Sequence, residues 1–159
     1  MKRVLLYSAI PLVLGAFLFW WFSAAQVVKR RTAKLLEIAT VVEGDGGDRV
    51  AGPYALNKLL APEVTLSISE VEEANGTFDR QEIESAYSVL RGHVTSSRFD
   101  HDSRIETSVS GNTATARVDL KARVEMSGHR VVLNGPRHAV FSWINDDGWR
   151  LTAMEIAEP

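Results

Sequence analysis

The most constraining feature of the sequence is an uncharged N-terminal stretch, residues 4–28, whose first part, Val4 to Phe22, is almost entirely apolar. As a helix, these nineteen residues would span about 28 Å, close to the ~30 Å hydrocarbon core of a bilayer. Tyr7 and the Trp20-Trp21 pair stand near its two ends, and aromatic rings favour the membrane interfaces. The sequence therefore predicts a transmembrane anchor over residues 1–28, with residues 4–28 as the part that contacts the membrane.

A cleaved secretory signal is the alternative for this segment. Lys2 and Arg3 form a basic start, and Ser23-Ala24-Ala25 resembles a small-residue cleavage site before Gln26. However, the apolar run exceeds the ~7–15 residues usual for such a signal, and bulky aromatic side chains crowd the approach to the site. We therefore expect an uncleaved anchor.

Basic residues on both sides of the run bear on its orientation. A basic juxtamembrane collar over residues 29–34 contains Lys29, Arg30, Arg31 and Lys34, and a strict count favours a cytoplasmic domain. A short basic N-terminal tail is nevertheless typical of anchors whose C-terminal part is exported. We expect a single-pass protein of a bacterial inner membrane whose domain lies on the extracytoplasmic side.

Composition limits what the remaining chain can be. About 125 residues follow the collar, enough for one domain with a core, and the absence of cysteine excludes disulfides and thiolate sites. Setting aside the six basic residues that flank the apolar run leaves twelve basic against 20 acidic residues, or about −8. Such a charge argues against nucleic acid as a partner. The four histidines show no metal-ligand spacing, so we expect neither a metal nor a cofactor.

Residue periodicity predicts helices in the first half of the domain. Helical spacing predicts a helix over residues 27–42, a glycine-rich turn over 43–47 and a second helix, capped by Asp48, that reaches Leu60. Asp79 and Glu82 match a capping box for a later helix that ends near Gly92. That helix is expected to bury Ile83, Ala86, Tyr87 and Leu90.

Strands are predicted where the period changes to two. A short strand carries Val64, Leu66 and Ile68, and strands run from Ser97 to the C-terminus. In Thr113 to Met126 every second residue is apolar and the others are polar, which is typical of an antiparallel strand with one dry and one wet face. A β-bulge near Thr152-Ala153 is expected, because the apolar residues of the last strand shift phase there.

This order of elements resembles the nuclear transport factor 2-like superfamily, including its SnoaL-like branch. Three stretches carry the resemblance: Gly76 to Ile83 at the start of a helix, Gly111 to Ala116 at the start of a long strand, and Asp147 to Leu151 in the last hairpin. The resemblance implies an α+β domain over residues 35–159, in which helices pack on a curved antiparallel sheet that forms a cone. It implies a fold and not a function, because members include isomerases, dehydratases, transport adaptors and membrane-assembly subunits.

Catalytic branches of the superfamily place an acidic or histidine base inside the cone, together with polar donors. His101 alternates with Phe99 and Ile105, so its side chain could act as a base in an apolar pocket. Tyr54 and Tyr87 could polarise a carbonyl. For all three, a structural role in the core or at an edge is the alternative. The candidates for lining a ligand pocket are Tyr54, Tyr87, Phe99, His101 and Trp149.

Two functions remain open from the sequence. The first is a membrane-anchored, non-catalytic binding or assembly module of unknown ligand, which the resemblance supports because anchored members occur in type IV secretion systems and lipid transport. The second is an isomerase- or dehydratase-like enzyme for a small hydrophobic substrate, with His101 as base. A cone lined by convergent polar groups would favour the enzyme, and an aliphatic interior would favour the module.

The wet face of the long strand suggests self-association. Five charges of alternating sign can be complementary to themselves about a two-fold axis, and the alternative is a simple solvated face. They are Arg117, Asp119, Lys121, Arg123 and Glu125. We expect any homodimer formed through this face to be weak and sensitive to salt.

Overall fold

The computed structural model describes residues 14–42, 51–101 and 104–159. Residues 1–13 of the expected anchor, the predicted turn over 43–47 and the Asp48 cap lie outside this part of the chain. The helices of the domain are α1 (Ala24–Ala39), α2 (Ala51–Asn57) and α3 (Arg80–His93), with a 3-10 turn over Glu72–Ala74. The strands are β1 (Leu60–Ile68), β2 (Gly76–Asp79), β3 (Val94–Asp100), β4 (Glu106–Ser110), β5 (Thr113–Met126), β6 (Arg130–Asn145) and β7 (Trp149–Ala157).

The seven strands form one sheet in the order β2-β1-β7-β6-β5-β3, and β4 pairs with β5 beyond the end of β3. All pairs are antiparallel except β1 with β7, which is parallel. The helices α1, α2 and α3 pack against this sheet and against one another. The predicted α+β class is therefore confirmed, with one parallel pair that the sequence did not indicate.

Strand β5 has the two faces that its sequence pattern predicts. Its apolar face is buried from Ala114 to Ala122 and packs into the core together with residues of α1, β6 and β7. Its polar face carries exposed charges, among them Arg117 and Arg123. The predicted bulge is also present, because Ser142 pairs with Ala153 and Trp143 pairs with Leu151, which leaves Thr152 as the extra residue.

Helix α1 begins earlier than the sequence suggested. Residues 14–21 are helical, the helix is interrupted at Phe22 and Ser23, and α1 starts at Ala24. Val28 is fully buried in the domain core, and the hydroxyl of buried Thr32 donates a hydrogen bond to the Val28 carbonyl at 3.0 Å. The last residues assigned to the anchor (1–28) and the basic collar (29–34) thus belong to a helix of the domain. We therefore place the start of the packed domain at Ala24 and not at residue 35.

Helix α2 ends at Asn57, so the prediction that it reaches Leu60 is wrong. Leu60 already pairs with Leu151 of β7, and burial against that strand outweighs its helix propensity. Pro62 lies within β1, where a register shift between Leu60 and Thr65 interrupts the pairing with β7. Its missing N–H group therefore removes no ladder hydrogen bond.

Helix α3 starts as predicted, with a complete capping box. The Asp79 side chain accepts from the Glu82 N–H, and the Glu82 side chain accepts from the Asp79 N–H, both at 2.8 Å. The predicted burial of its apolar face is wrong, because no residue of α3 is buried and Leu90 is 49% exposed. Ile83 and Tyr87 are partly covered, whereas Ala86 is exposed.

Candidate functional site

His101 does not occupy the inward position that its alternation with Phe99 and Ile105 predicted. Strand β3 ends at Asp100, which pairs with Lys121, and β4 begins at Glu106, which pairs with Arg117. Between these two pairs the edge chain advances by six positions and β5 by only four, so the alternation of β3 does not continue in register into β4. His101 is exposed, whereas Ile105 is buried in the core.

The imidazole of His101 lies in a solvent-open depression of about 470 Å³. The depression is also lined by the half-buried ring of Phe99, by the acidic Asp100 and by the basic Lys121. This arrangement brings a titratable histidine beside a carboxylate and an ammonium group. It is a polar surface site and not an apolar pocket.

The two candidate tyrosines have different environments. The Tyr87 hydroxyl donates to the Ile38 carbonyl at 2.8 Å, so it satisfies one of the last carbonyls of α1. The Tyr54 ring is 65% exposed, and the Lys58 ammonium lies 4.3 Å from its centre. One phenol thus has a structural partner, and the other stands at the surface.

The remaining pocket candidate, Trp149, is a core residue. It is 6% exposed and belongs to the same buried cluster as Trp143 and Leu151. Trp143 is the deepest large side chain at 1% exposed, and in the described part of the chain its indole nitrogen is the one buried side-chain polar atom without a hydrogen-bond partner. The inner face of the sheet is therefore occupied by packed aromatic and aliphatic groups.

One buried charged residue was not assigned from the sequence. Arg137 shares the inward face of β6 with Ala139 and Phe141, and it is only 6% exposed. Its guanidinium forms a two-pronged ion pair with Glu70, in which Nε lies 3.2 Å from Oε2 and Nη2 contacts Oε1. Nη1 donates to the Pro136 carbonyl at 2.6 Å. The buried guanidinium is thus paired and hydrogen-bonded on each nitrogen.

Gly135 makes room for this guanidinium. Its φ of 123° is unfavourable for residues with a side chain, and a Cβ there would lie 3.4 Å from Nη1 of Arg137. The Gly135-Pro136 sequence obscured the phase of β6, so the pattern did not decide whether Arg137 or His138 points inward. The run of apolar residues at 139, 141 and 143 is the signal that assigns Arg137 to the inner face.

The outer face of the sheet carries polar and charged side chains that are exposed to solvent. Nδ1 of His138 contacts the Asp119 carboxylate across β5 and β6, and Nδ1 of His129 lies 2.9 Å from Oε1 of Glu125. Arg123 lies 3.8 Å from Glu125 at the same end of the strand. Among residues 14–42, 51–101 and 104–159, no three histidine, aspartate or glutamate side chains are placed to hold a metal ion.

An apolar segment, residues 14–22, precedes the domain. All nine residues are exposed, and the exposure of the large apolar side chains runs from 42% at Trp21 to 84% at Phe19. The Phe17 ring stacks on Trp21 with 5.8 Å between centroids. Arg30 of α1 reaches back to this segment, where Nη1 donates to the Trp21 carbonyl at 2.8 Å and the guanidinium lies 4.7 Å from the ring centre.

Within residues 14–42, 51–101 and 104–159, no helix is both long enough and apolar enough to span a membrane.

The fold is shared with several solved structures. A nuclear transport factor 2-like superfamily protein from Salmonella enterica superposes with a TM-score of 0.63 at 16% identity, over 85% of this chain and 90% of that one. A nuclear transport factor 2-like protein with a cystatin-like fold from Novosphingobium aromaticivorans gives 0.58 at 19% identity, over 91% and 86%. A protein from Streptomyces avermitilis, named as a candidate dehydratase of this fold, gives 0.59 at 15% identity, over 85% and 95%.

Sequence comparison does not add to these structural similarities. No protein-family model matches the chain, and no curated protein matches it significantly. At identities below 20% the superpositions establish the fold and carry no function from one protein to another. The chain folds as a nuclear transport factor 2-like domain of the cystatin-like α+β type.

Proposed function

We propose that the protein is a membrane-anchored, non-catalytic binding or assembly module. The observation that carries this proposal is the apolar segment, whose nine residues are exposed without a break directly before the domain. An exposed apolar surface of this kind marks a site that contacts a membrane or another protein. Because α1 begins at Ala24, the proposed anchor is the apolar run over residues 4–22, a length that suits one crossing.

The packed inner face supports a non-catalytic role. The Tyr87 hydroxyl is held by a backbone carbonyl, and Trp149 is part of the core. Arg137, the buried cation of this face, is paired with Glu70. Apart from the indole N–H of Trp143, these inward polar groups are engaged in structural contacts. Binding would use the outer surfaces of the domain.

The alternative is an enzyme with His101 as base. It is favoured by one observation, the depression in which His101 stands with Asp100 and Lys121. That depression is open to solvent, so a base there would act in water and without the electrostatic gain of a dry site. We therefore prefer the binding module and keep the enzyme as the second candidate.

The location of the module is part of the proposal. We propose a single-pass protein of a bacterial inner membrane with its domain on the extracytoplasmic side. The support is the short basic N-terminal tail, Lys2 and Arg3, ahead of the apolar run. A C-terminal reporter that is active only outside the cytoplasm tests this side directly, and activity of a cytoplasmic reporter instead would reverse the orientation.

Extraction of membranes with alkaline carbonate tests the anchor. The full chain should remain in the membrane pellet, whereas Leu14→Arg combined with Leu18→Arg should release it, because a charge at the centre of a span costs about 2.5–3.5 kcal/mol. The control is Val89→Arg combined with Leu90→Arg, which makes the same change at exposed positions of α3. It should stay in the pellet.

Two outcomes would contradict the proposal. The first is release of the unmodified chain by carbonate. The second is a mature protein that begins at Gln26, because it would show that the apolar run is a cleaved signal.

A further inference from the structure

The sheet gives the domain two distinguishable ends. At one end β5 begins at Thr113, β6 ends at Asn145, and the N–H of Asn145 donates to the Asn112 carbonyl at 2.7 Å. At the other end, β5 and β6 are joined by the turn after Met126. We call the first the hairpin end, because β6 and β7 form a hairpin there after Asn145, and the second the far end.

Helix α1 runs from the hairpin end toward the far end. Arg31 lies beside the hairpin, 3.7 Å from where a Cβ of Gly148 would stand. Val41, just after α1, forms a bridge with Ser97, which pairs with Val124 near the far end. The start of α1, and the apolar segment before it, are therefore at the hairpin end of the domain.

Four basic residues from three parts of the chain meet at this end. Arg31 donates to the Lys58 carbonyl at 3.3 Å, and the pKa of Arg31 is lowered by burial and by the nearby charge of Arg150. Arg30 contacts Trp21. We call Arg30, Arg31, Lys58 and Arg150 the basic end.

The described part of the chain supplies no carboxylate that pairs with the basic end. In the described part of the chain, Arg31, Lys58 and Arg150 form no salt bridge with a carboxylate. Asp146 and Asp147 lie in the same hairpin but are exposed. Acidic residues gather where β1 and β7 finish, level with the middle of β5: Glu70, Glu72, Glu73, Glu155 and Glu158. The turn that defines the far end lies instead beside Arg98, Arg123 and Arg130.

We propose that the basic end docks on anionic phospholipid headgroups and so holds the hairpin end of the domain against the membrane. This inference rests on the proposed anchor, because the anchor brings the lipid surface to the hairpin end. Arg31 follows Ala24 by seven residues, about 10 Å along a helix axis. That distance is close to the Debye length in physiological salt, so these charges would feel the surface potential.

The chemistry of the cluster fits a phosphate group. Guanidinium groups present several N–H donors in a plane that matches phosphate oxygens, and Arg31 and Arg150 contribute two of them. Two like charges that repel one another in the free protein would gain from a shared anion. The proposed anchor restricts this contact to the basic end, because it joins the domain at the hairpin end.

The test uses the full chain in vesicles and exploits its lack of cysteine. A single fluorophore is attached through Ser110→Cys at the hairpin end or through Ser127→Cys at the far end, and energy transfer to an acceptor lipid is measured. Vesicles contain either phosphatidylcholine alone or phosphatidylcholine with about one third phosphatidylglycerol. With phosphatidylglycerol, we expect transfer from position 110 to rise and transfer from position 127 to fall, and high salt should remove the difference.

Charge variants identify the residues responsible. Each basic group near an anionic surface changes the docked population about fivefold, so Arg31→Gln with Arg150→Gln should reduce the ratio of docked to undocked protein about 25-fold. Arg117→Gln with Arg123→Gln makes the same charge change on the outer sheet face and should have no such effect. Asp146→Asn with Asp147→Asn should increase docking, and asparagine tolerates the φ of 53° at position 147.

Flotation of the vesicles and energy transfer distinguish a failure of the anchor from a failure of docking. An anchored protein floats with both kinds of vesicle in high salt, whatever the orientation of its domain. Equal energy transfer in the two lipids, or equal effects of the two arginine variants, would overturn the docking proposal. Loss of flotation with phosphatidylcholine would overturn the anchor, and salt-sensitive flotation with phosphatidylglycerol alone would still support lipid binding by the basic end.

Discussion

The inner and outer faces of the sheet differ in whether their charged side chains are buried or exposed. The inner face holds one cation, Arg137, and it is enclosed by Glu70 and the Pro136 carbonyl. The outer face carries several charges in pairs that remain exposed to solvent, such as Arg98 with Asp100. The inner face therefore stabilises the fold, and the outer surfaces remain available for contact with other molecules.

The largest expected effect comes from placing a charge on the inner face. Val118→Asp or Leu120→Asp should unfold the domain, because an unpaired buried charge costs several kcal/mol, which is comparable to the total stability of a domain. Thermal unfolding of each variant measures this. Arg123→Asp on the outer face of the same strand is the control and should change stability by less than ~0.5 kcal/mol. Normal melting of both inner-face variants would mean that the faces are reversed.

The buried ion pair should give the next largest effect. Glu70→Gln should cost about 3 kcal/mol, because it leaves the buried Arg137 guanidinium with only the more distant Glu158 carboxylate, and Arg137→Met should cost less, because Glu70 is partly exposed. The double variant Glu70→Met with Arg137→Met should recover much of that loss. Denaturant unfolding of all three variants completes a double-mutant cycle, with Arg98→Met as an exposed control. Additive losses in the cycle would show that the two side chains do not stabilise one another.

The sequence predicted the faces that a regular strand exposes and failed where a strand is interrupted. Strand β5 alternates without exception, so its burial could be predicted. His101 was misplaced because the alternation was extended across the break between Asp100 and Glu106. The pairing that causes this break is formed with β5, which lies further along the chain, and no local pattern contains it.

Arg137 and α3 show two further limits of sequence patterns. The phase of β6 depends on Gly135-Pro136, whose backbone geometry the alternation rule does not describe. The apolar spacing of α3 predicted burial of Leu90, yet the helix lies over α2 and the β1–β2 edge and leaves that side chain exposed. The capping box was predicted correctly, since Asp79 and Glu82 interact within one turn.

The capping box should have a smaller effect than the ion pair. Asp79→Ala removes the acceptor for the Glu82 N–H group and should cost about 1 kcal/mol. Asp79→Asn should retain most of the stability, because asparagine is an equally good cap. A change in melting temperature as large as that of the Val118→Asp variant would show that α3 contributes more to the core than its exposure indicates.

The smallest expected effect concerns self-association through the outer face. We expect a weak dimer that dissociates as salt is raised, because exposed ion pairs contribute at most about 1 kcal/mol each and are screened. Sedimentation of the detergent-solubilised chain at several concentrations measures it, and Arg117→Glu with Arg123→Glu should weaken it. A strictly monomeric chain at high concentration and low salt would exclude this surface as a dimer interface.

Access of solvent to the interior tests the central claim, that the inner face is a packed core and not a substrate pocket. The chain has four tryptophans, and Trp20→Phe with Trp21→Phe leaves only buried Trp143 and Trp149 to report. Acrylamide quenching of this variant should be weak when native and strong after denaturation, because a close-packed interior excludes the quencher. Strong quenching of the native protein would reveal an open cavity beside these indoles and would contradict the account.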